Sequence, residues 1–541
     1  MEGYNVMTTN LRPILKNKYY LYFTEFFAGV SVMAVELGAS RLLAPYFSSS
    51  QIVWTIIIGT IMIAMALGNL WGGRTADKDP NTDRLYRRIL VAAVWIAAIP
   101  VVGKYIILGI SGLLVLTINT NFLIIAAFCT CMVLFVFPLF LLGTVTPSLV
   151  KYSVDSLEDS GKTVGTLGAF NTIGSILGTF LPTFVTIPAV GTAVTFLLFS
   201  GILLAIGLIY FLSSKTQWKK CLVSLILFVA CAIFGNSGSF AFWADNLTYE
   251  GESVYNYLQV TENERRVSLS TNVLFGVQSV RMKSDTLTGM YYDYALAAPV
   301  MAGMDQSNPG RILILGNGTG TFATQCTRYF PGSRISGVEI DDKITDLAKT
   351  YFALPETVDV TTYDGRAYLQ AVEGQYDVIQ VDAYQDITIP FQMSSTEFFT
   401  LVKEHLAPGG VMVVNLNMHS DGEGSINQAL CDTIASLFPN VYTIDVPGTT
   451  NRELFASMDS DPLRALSQEK ESVTASDLRT QLDKVQDGLS RYVGGDLILT
   501  DDQAPVEVLG MRAIDGLIQT ELQYYQKIYR EEGLKGLLAQ F

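Results

Sequence analysis

Four stretches of this chain, 42–73, 105–150, 163–214 and 221–244, contain no Asp, Glu, Lys or Arg. A helix needs about 20 apolar residues to cross the hydrocarbon of a bilayer, so each stretch can hold one or two crossings. Half of the 541 residues are hydrophobic and 16% are charged. That is too apolar for a soluble enzyme and too long for one domain. After Asp245 the pattern turns abruptly into that of a globular α/β domain.

The apolar half predicts seven spans, at 19–40, 52–73, 89–112, 121–146, 163–187, 189–212 and 219–241, with Pro188 and Gly191 marking the turn between the fifth and sixth. Gly165, Gly168, Gly174 and Gly178 would let the fifth helix pack closely on a neighbour. Arg12, Lys16 and Lys18 precede span one, and Lys and Arg recur in alternate loops, which places the N-terminus inside. An odd span count then puts the globular domain outside. Glu25 and Glu36, eleven residues apart, share one helix face. They read either as an interfacial pair bonded to neighbouring helices, Glu36 with Arg41, or as a proton or amine path. No cleavable signal peptide is expected, since the first apolar segment carries both acids. The stretch Gly73-Arg-Thr-Ala-Asp77-Lys78, followed by Arg87-Arg88, resembles the loop between the second and third helices of major facilitator transporters.

The formal net charge of −14 and the lack of a basic stripe argue against a nucleic-acid partner. Six scattered cysteines and two histidines offer neither a disulfide framework nor metal-ligand spacing, so no metal is expected. The partner implied by the apolar half is a lipid bilayer.

In the globular half, 255–260 and 266–270 alternate around Glu262-Asn-Glu-Arg265 and predict a hairpin. A strand–helix series follows. Arg311–Leu315 runs into Gly316-Asn-Gly318-Thr319-Gly320, and Arg334–Ile340 places Glu339 at the end of the second strand. Asp364-Gly365 closes the third strand and Asp382 the fourth, while 409–416, 441–446 and 453–458 complete a mainly parallel sheet. A glycine turn alone is weak evidence. Together with an acid at the ribose-binding position and acids at two more strand ends, it predicts a nucleoside site. The fold expected is multi-domain: a transmembrane helical bundle over 1–245, a small β subdomain over 246–300, a Rossmann-like, methyltransferase-type α/β domain over 301–510 and a helical extension over 511–541.

The stretch 252–510 resembles the spermidine synthase (polyamine aminopropyltransferase) family, and the whole chain its membrane-fused bacterial branch. The resemblance rests on Glu252-Ser-Val-Tyr255, Gly276-Val-Gln278, Tyr291-Tyr292-Asp293, the Gly316–Gly320 turn, Val338-Glu339-Ile-Asp341 and Asp364-Gly365. Further on it includes Val381-Asp382-Ala-Tyr384, Ile389-Pro390-Phe391 and Leu499-Thr-Asp501-Asp502. It implies transfer of an aminopropyl arm from decarboxylated S-adenosylmethionine, a cosubstrate made in the cytoplasm, to a di- or polyamine. By resemblance Asp382 and Tyr291 are catalytic. Gln278, Gly316, Gly318, Gly320, Glu339, Asp364 and Gly365 hold the nucleoside, and Tyr292, Asp293, Tyr384, Gln385, Asp386 and Pro390 line the amine side. A homodimer stays open.

Two positions depart from the family pattern. Thr319 stands where the family carries an Asp that pairs with the ammonium of the aminopropyl arm, and Gln385 where it carries a second acid, with Asp386 next door. Each lost charge-assisted contact forfeits about 1.5–3 kcal/mol. Two alternatives therefore stand beside the aminopropyltransferase: a methyltransferase or other transferase using intact S-adenosylmethionine, and a polyamine transporter or sensor with a non-catalytic nucleoside domain.

Overall fold

The computed structural model describes residues 13–154, 160–236, 240–241, 244, 246–272, 276–383, 389–417, 422–459 and 461–538. The chain divides into two compact units, one of Met1–Trp243, Gly251–Tyr257 and Leu522–Phe541, the other of Ala244–Glu250 and Leu258–Glu521.

The first unit is built of α1 (Lys18–Phe47), α2 (Gln51–Lys78), α3 (Thr82–Val115), α4 (Phe122–Leu134), α5 (Val136–Gly143), α6 (Val145–Ser153), α7 (Ser160–Leu181), α8 (Ile187–Ser213) and α9 (Trp218–Asn236). Six helices among the described residues are long and apolar enough to cross a membrane, against seven spans expected. The difference lies at Ser160–Ser213, one continuous helical stretch holding the fifth and sixth expected spans. Gly191 breaks its regularity at φ 80°, ψ 167°, backbone that a side chain would resist. The Glu252 carboxylate accepts from the N–H of Thr192 at 2.6 Å and from its hydroxyl at 2.5 Å, just beyond the break. It thereby satisfies one of the amides that a helix start leaves without a partner.

The fourth expected span is interrupted. Its long apolar part is Val136–Ser153, and Phe122–Leu134 is a shorter apolar helix. Pro138 has no N–H to offer the carbonyl four residues earlier, that of Leu134. The Trp95 indole N–H donates to that carbonyl instead, at 3.0 Å. Close packing of α7 is confined to two of the four glycines: a Cβ on Gly174 would lie 2.1 Å from the Phe26 carbonyl oxygen, and one on Gly178 2.2 Å from that of Val30. Gly165 and Gly168 face open space. Glu25 accepts from the Thr146 hydroxyl at 2.5 Å and the Asn171 amide at 2.9 Å, which ties α1 to α6 and α7.

Most of the second unit is α/β. The strands β1 (Leu247–Glu252), β2 (Tyr257–Glu262), β3 (Arg266–Thr271) and β4 (Ser279–Met282) form a sheet in that order, with β2 and β3 the expected hairpin. After α10 (Tyr291–Ala295) and α11 (Ala297–Met301) come β5 (Arg311–Leu315), α12 (Thr321–Tyr329), β6 (Arg334–Glu339), α13 (Asp342–Tyr351), β7 (Asp359–Thr362), α14 (Gly365–Ala371) and β8 (Tyr376–Val381). They are followed by α15 (Thr396–Glu404), β9 (Leu406–Leu416), α16 (Ile426–Ala435), β10 (Asn440–Asp445), β11 (Arg452–Ser457), α17 (Pro462–Glu469), α18 (Ser476–Gly488) and β12 (Ser490–Arg491). The last helix, α19 (Val506–Leu538), continues into the first unit.

The second sheet has the order β12-β10-β11-β9-β8-β5-β6-β7. Its β7-β6-β5-β8-β9 part is parallel, and β11 and β10 add an antiparallel edge. Both faces are covered: Ile312, Ile314, Val378 and Val413 belong to one core, Leu313, Leu315, Ile379 and Val414 to another. Burial on both sides is why these strands read as unbroken apolar runs. The chain winds outward from β5 to β7 and then returns to β8, so the crevice for a ligand lies where the carboxyl ends of β5 and β8 diverge.

Candidate active site

The loop that leaves β5 is folded by its glycines. Gly316, Gly318 and Gly320 all have positive φ, at 87°, 53° and 80°. A Cβ on Gly316 would lie 2.4 Å from the Asp382 carbonyl oxygen, so no side chain fits between the two strand ends. Gly318 donates its N–H to Glu339 Oε2 at 2.8 Å, and Asp341 donates to Oε1 at 3.1 Å. Glu339 is buried, which pushes its pKa up to about 7 against the pull of those backbone amides. Gln278 abuts Gly318, and its Oε1 accepts from the Ser279 hydroxyl at 2.7 Å. Asp364, at the end of the third strand, accepts the Ala367 N–H at 2.9 Å and so caps α14, with Gly365 as its first residue.

Asp382 follows β8. Its Oδ2 accepts from the Tyr291 hydroxyl at 2.7 Å and its Oδ1 from the Asn415 amide at 2.9 Å. Asn451 in turn donates to Asn415 Oδ1 at 2.9 Å, fixing which end of that amide faces Asp382. Desolvation raises the Asp382 pKa to about 7, and the Asn415 and Tyr291 donors act in the opposite direction. The Tyr291 phenol is pushed up by its own burial and by the neighbouring Asp382 charge, so it remains a donor. Tyr292, its ring centroid 3.9 Å from that of Tyr291, donates to the Gln278 carbonyl at 2.6 Å. Hydrogen bonds and the Tyr291–Tyr292 ring contact thus link the glycine turn to the Asp382 side of the crevice.

The remaining expected amine-side residues fare differently. Asp293 is buried and accepts from the Thr288 N–H and hydroxyl, the Gly289 N–H and the Gln325 amide. Three of these donors belong to the 288–289 loop and the fourth, Gln325, to α12, so the carboxylate ties the two together. Pro390 opens the short 3-10 turn Phe391–Met393. Tyr384, Gln385 and Asp386 lie outside the described residues. Thr319 is buried, its N–H donating to Ser279 Oγ at 3.3 Å and its own hydroxyl without a partner among the described residues. It also lines a cavity of about 420 Å³ together with Arg281, Lys283 and Arg328.

Sequence reasoning missed Asn415, Asn451 and Glu453. Glu453 is fully buried, and neither of its oxygens has a hydrogen-bond partner among the described residues. Burial, with the Asp382 charge second, holds its pKa well above the usual carboxylate range. It stands opposite Asn415 in the β9–β11 pairing, and paired residues project to the same face of a sheet. Gln380, two residues before Asp382, is likewise buried, with both amide atoms unpartnered among the described residues. The available signal was the single acid in Glu453-Leu-Phe-Ala-Ser457, an otherwise apolar and small run.

A glycine turn, an acid on the second strand and a buried carboxylate at the switch point mark the ligand edge of a Rossmann-type α/β domain. The Spermine/spermidine synthase domain profile matches residues 294–458. A probable polyamine aminopropyl transferase of Bifidobacterium longum is 55% identical over 351 residues, covering 62% of this chain and 78% of that protein. The polyamine aminopropyltransferase of Vibrio vulnificus is 28% identical over 250 residues, or 44% of this chain and 81% of that protein. Among solved structures, a probable spermidine synthase from Corynebacterium glutamicum is 22% identical with a TM-score of 0.35, covering 46% of this chain and 97% of that one. The chain belongs to the spermidine synthase (polyamine aminopropyltransferase) family.

Proposed function

We propose that this protein is a membrane-anchored aminopropyltransferase that moves an aminopropyl group from decarboxylated S-adenosylmethionine to a di- or polyamine. The observation that carries this reading is the Asp382 carboxylate, held by Tyr291 and Asn415 beside the glycine turn. The amine lone pair attacks the methylene next to the sulfonium. The carbon–sulfur bond breaks, its electrons neutralise sulfur to give methylthioadenosine, and the proton shed by the amine passes to Asp382. A base with a pKa near the working pH suits that transfer. Glu339 would hold the ribose hydroxyls, Asp364 the adenine amino group, and Gln278 would line the same pocket. The test is the purified full chain with a diamine and the decarboxylated cosubstrate. Methylthioadenosine is the expected product, and tight nucleoside binding without it would overturn the assignment.

A second reading, transfer from intact S-adenosylmethionine, is favoured by Thr319. Its neutral hydroxyl offers an ammonium no charge, while in the adjoining cavity Arg281 can meet an α-carboxylate, Lys283 and Arg328 being paired with Glu262 and Asp477. S-adenosylhomocysteine in place of methylthioadenosine would establish that reading.

Membrane anchoring is supported by large apolar side chains more than half exposed on the helices, among them Met62, Leu70, Phe184 and Ile233. Patches of that extent are rare on soluble monomers. Counting a turn at Gly191 gives seven crossings, which would leave the catalytic domain outside, whereas a cytoplasmic cosubstrate calls for it inside. A cysteine at exposed Asp487, labelled on intact cells with an impermeant maleimide, decides the side.

A further inference from the structure

Within the helical unit, α2, α3, α5 and α9 line an open cavity of about 620 Å³ with two kinds of lining. One part is cationic: Arg84, Arg87, Arg88 and Lys220. The other is apolar and aromatic: Trp71, Leu90, Val91, Phe137 and Leu141. Arg84 pairs with Asp79 at 2.8 Å. The Arg88 guanidinium sits 4.2 Å above the Trp71 ring and donates to the Thr75 hydroxyl at 3.1 Å. Arg87 spends one N–H on the Asp83 backbone carbonyl at 3.2 Å. The Asp83 carboxylate accepts from the Tyr210 hydroxyl and from Gln217. Among the described residues, neither Arg87 nor Lys220 forms an ion pair. Four cations and no carboxylate therefore line the site, one of the four paired with Asp79 and another guanidinium fixed over an aromatic face.

The apolar lining continues away from the cations. Leu67, Leu70 and Trp71 are exposed on α2, Val91, Trp95 and Val102 on α3, and Phe137 on α5. Positions 91, 95 and 102 share one face of their helix. Trp95 lies with its ring centroid 4.8 Å from that of Phe137, extending the aromatic wall. An anion alone would use only the cations, and an apolar molecule only the wall. A ligand carrying a phosphodiester next to hydrocarbon uses both, and guanidinium forks match phosphate oxygens in pairs.

We propose that this cavity binds the headgroup of an acidic phospholipid, its acyl chains lying along the exposed face of α2 and α3. The proposal rests on the membrane-embedded reading of the helices. The test uses the full chain in neutral detergent, with native mass spectrometry counting retained phosphatidylglycerol and phosphatidylcholine of equal chain length. Near a membrane surface each cation contributes about fivefold in affinity. Replacing both unpaired cations, as Arg87→Gln with Lys220→Gln, should lower phosphatidylglycerol retention by roughly 25-fold. Phosphatidylcholine retention should be unchanged. If the double variant does not give a monodisperse protein, Lys220→Gln alone, at an exposed position, should lower retention about fivefold. Equal retention by wild type and variant would overturn the proposal. So would displacement by inorganic phosphate as effective as displacement by short-chain phosphatidylglycerol, which would mark a free-phosphate site. Recovery of the chain in soluble form without detergent would sink the membrane reading. The site would then be tested on that soluble protein with short-chain phosphatidylglycerol, the same Arg87 and Lys220 dependence supporting it and its absence overturning it.

Discussion

Glu453 stands directly opposite Asn415 across the β9–β11 pairing, and the Asn415 amide donates a hydrogen bond to Asp382. Two carboxyl groups thus flank one amide in a row across the sheet. Asp382 receives hydrogen bonds from both sides, whereas Glu453 receives none among the described residues. The asymmetry separates their roles: Asp382 has donors that favour its charged form, whereas burial and the Asp382 charge push Glu453 toward its neutral form. A buried polar group without a partner costs about 1–3 kcal/mol, which a fold maximised for stability alone would shed.

Glu453→Leu should therefore stabilise the protein, by about 1–2 kcal/mol at neutral pH. The pH dependence has a definite sign. The folded-state pKa of Glu453 is raised, so the folded chain holds its proton longer than the unfolded one. Its contribution to stability is full below the ordinary carboxylate range and declines as pH rises above it. Denaturant melts at pH 4 and pH 8 should show the gain from Glu453→Leu growing at the higher pH. A gain independent of pH would mean that Glu453 does not hold a proton.

Asp382→Asn preserves shape and removes the proton acceptor. Turnover should fall by about 10²–10⁴-fold, the usual contribution of a positioned general base. Nucleoside affinity, set by Glu339 and the Gly316–Gly320 turn, should stay within about threefold, since the loss is confined to the transition state. Stopped assays for turnover and calorimetry for binding read the two quantities separately. Turnover within a factor of a few of wild type would remove Asp382 from the chemistry.

The pH–rate profile offers an independent check. With its pKa at about 7, Asp382 is protonated on the acid side, and kcat/KM should rise with pH through that value. Asn415 and Tyr291 both lower this pKa by bonding the charged form. Asn415→Ala and Tyr291→Phe should each shift the acid limb to higher pH, while Asn451→Ala, one step removed, should shift it less. An acid limb that stays in place in both first-neighbour variants would assign it to another group.

The strand-end residues Gly316, Glu339, Asp364 and Asp382 were legible in the sequence because each sits at or just past the carboxyl end of a short strand in the β–α series. Their neighbours were not. Asn415 and Glu453 meet only through the antiparallel pairing of β9 with β11, a long-range register that periodicity does not reveal. Asp364 shows how one residue serves two readings, since the strand-end acid is also the cap of α14. In the helical half, charge-free stretches announced the bundle but not its breaks. The fourth span is interrupted at residue 135, where Pro138 leaves the Leu134 carbonyl to Trp95, a partner 39 residues away in sequence.

The departure at Thr319 supplies the sharpest discriminating variant. Its hydroxyl is buried and unpartnered, and Thr→Asp adds charge at nearly constant volume. If the aminopropyl arm reaches this turn, the new carboxylate meets its ammonium in a charge-assisted bond worth about 1.5–3 kcal/mol. Affinity for decarboxylated S-adenosylmethionine should then rise about 10- to 150-fold relative to the intact compound, whose own carboxylate would be repelled. Without ligand the variant should be less stable than wild type, because the added carboxylate is desolvated and unpaired. Calorimetric titration with both nucleosides measures the ratio, and thermal melts with and without ligand measure the compensation. An unchanged ratio would mean that the arm points away from residue 319, and the charge that selects the cosubstrate would have to be sought on the Asp382 side of the crevice.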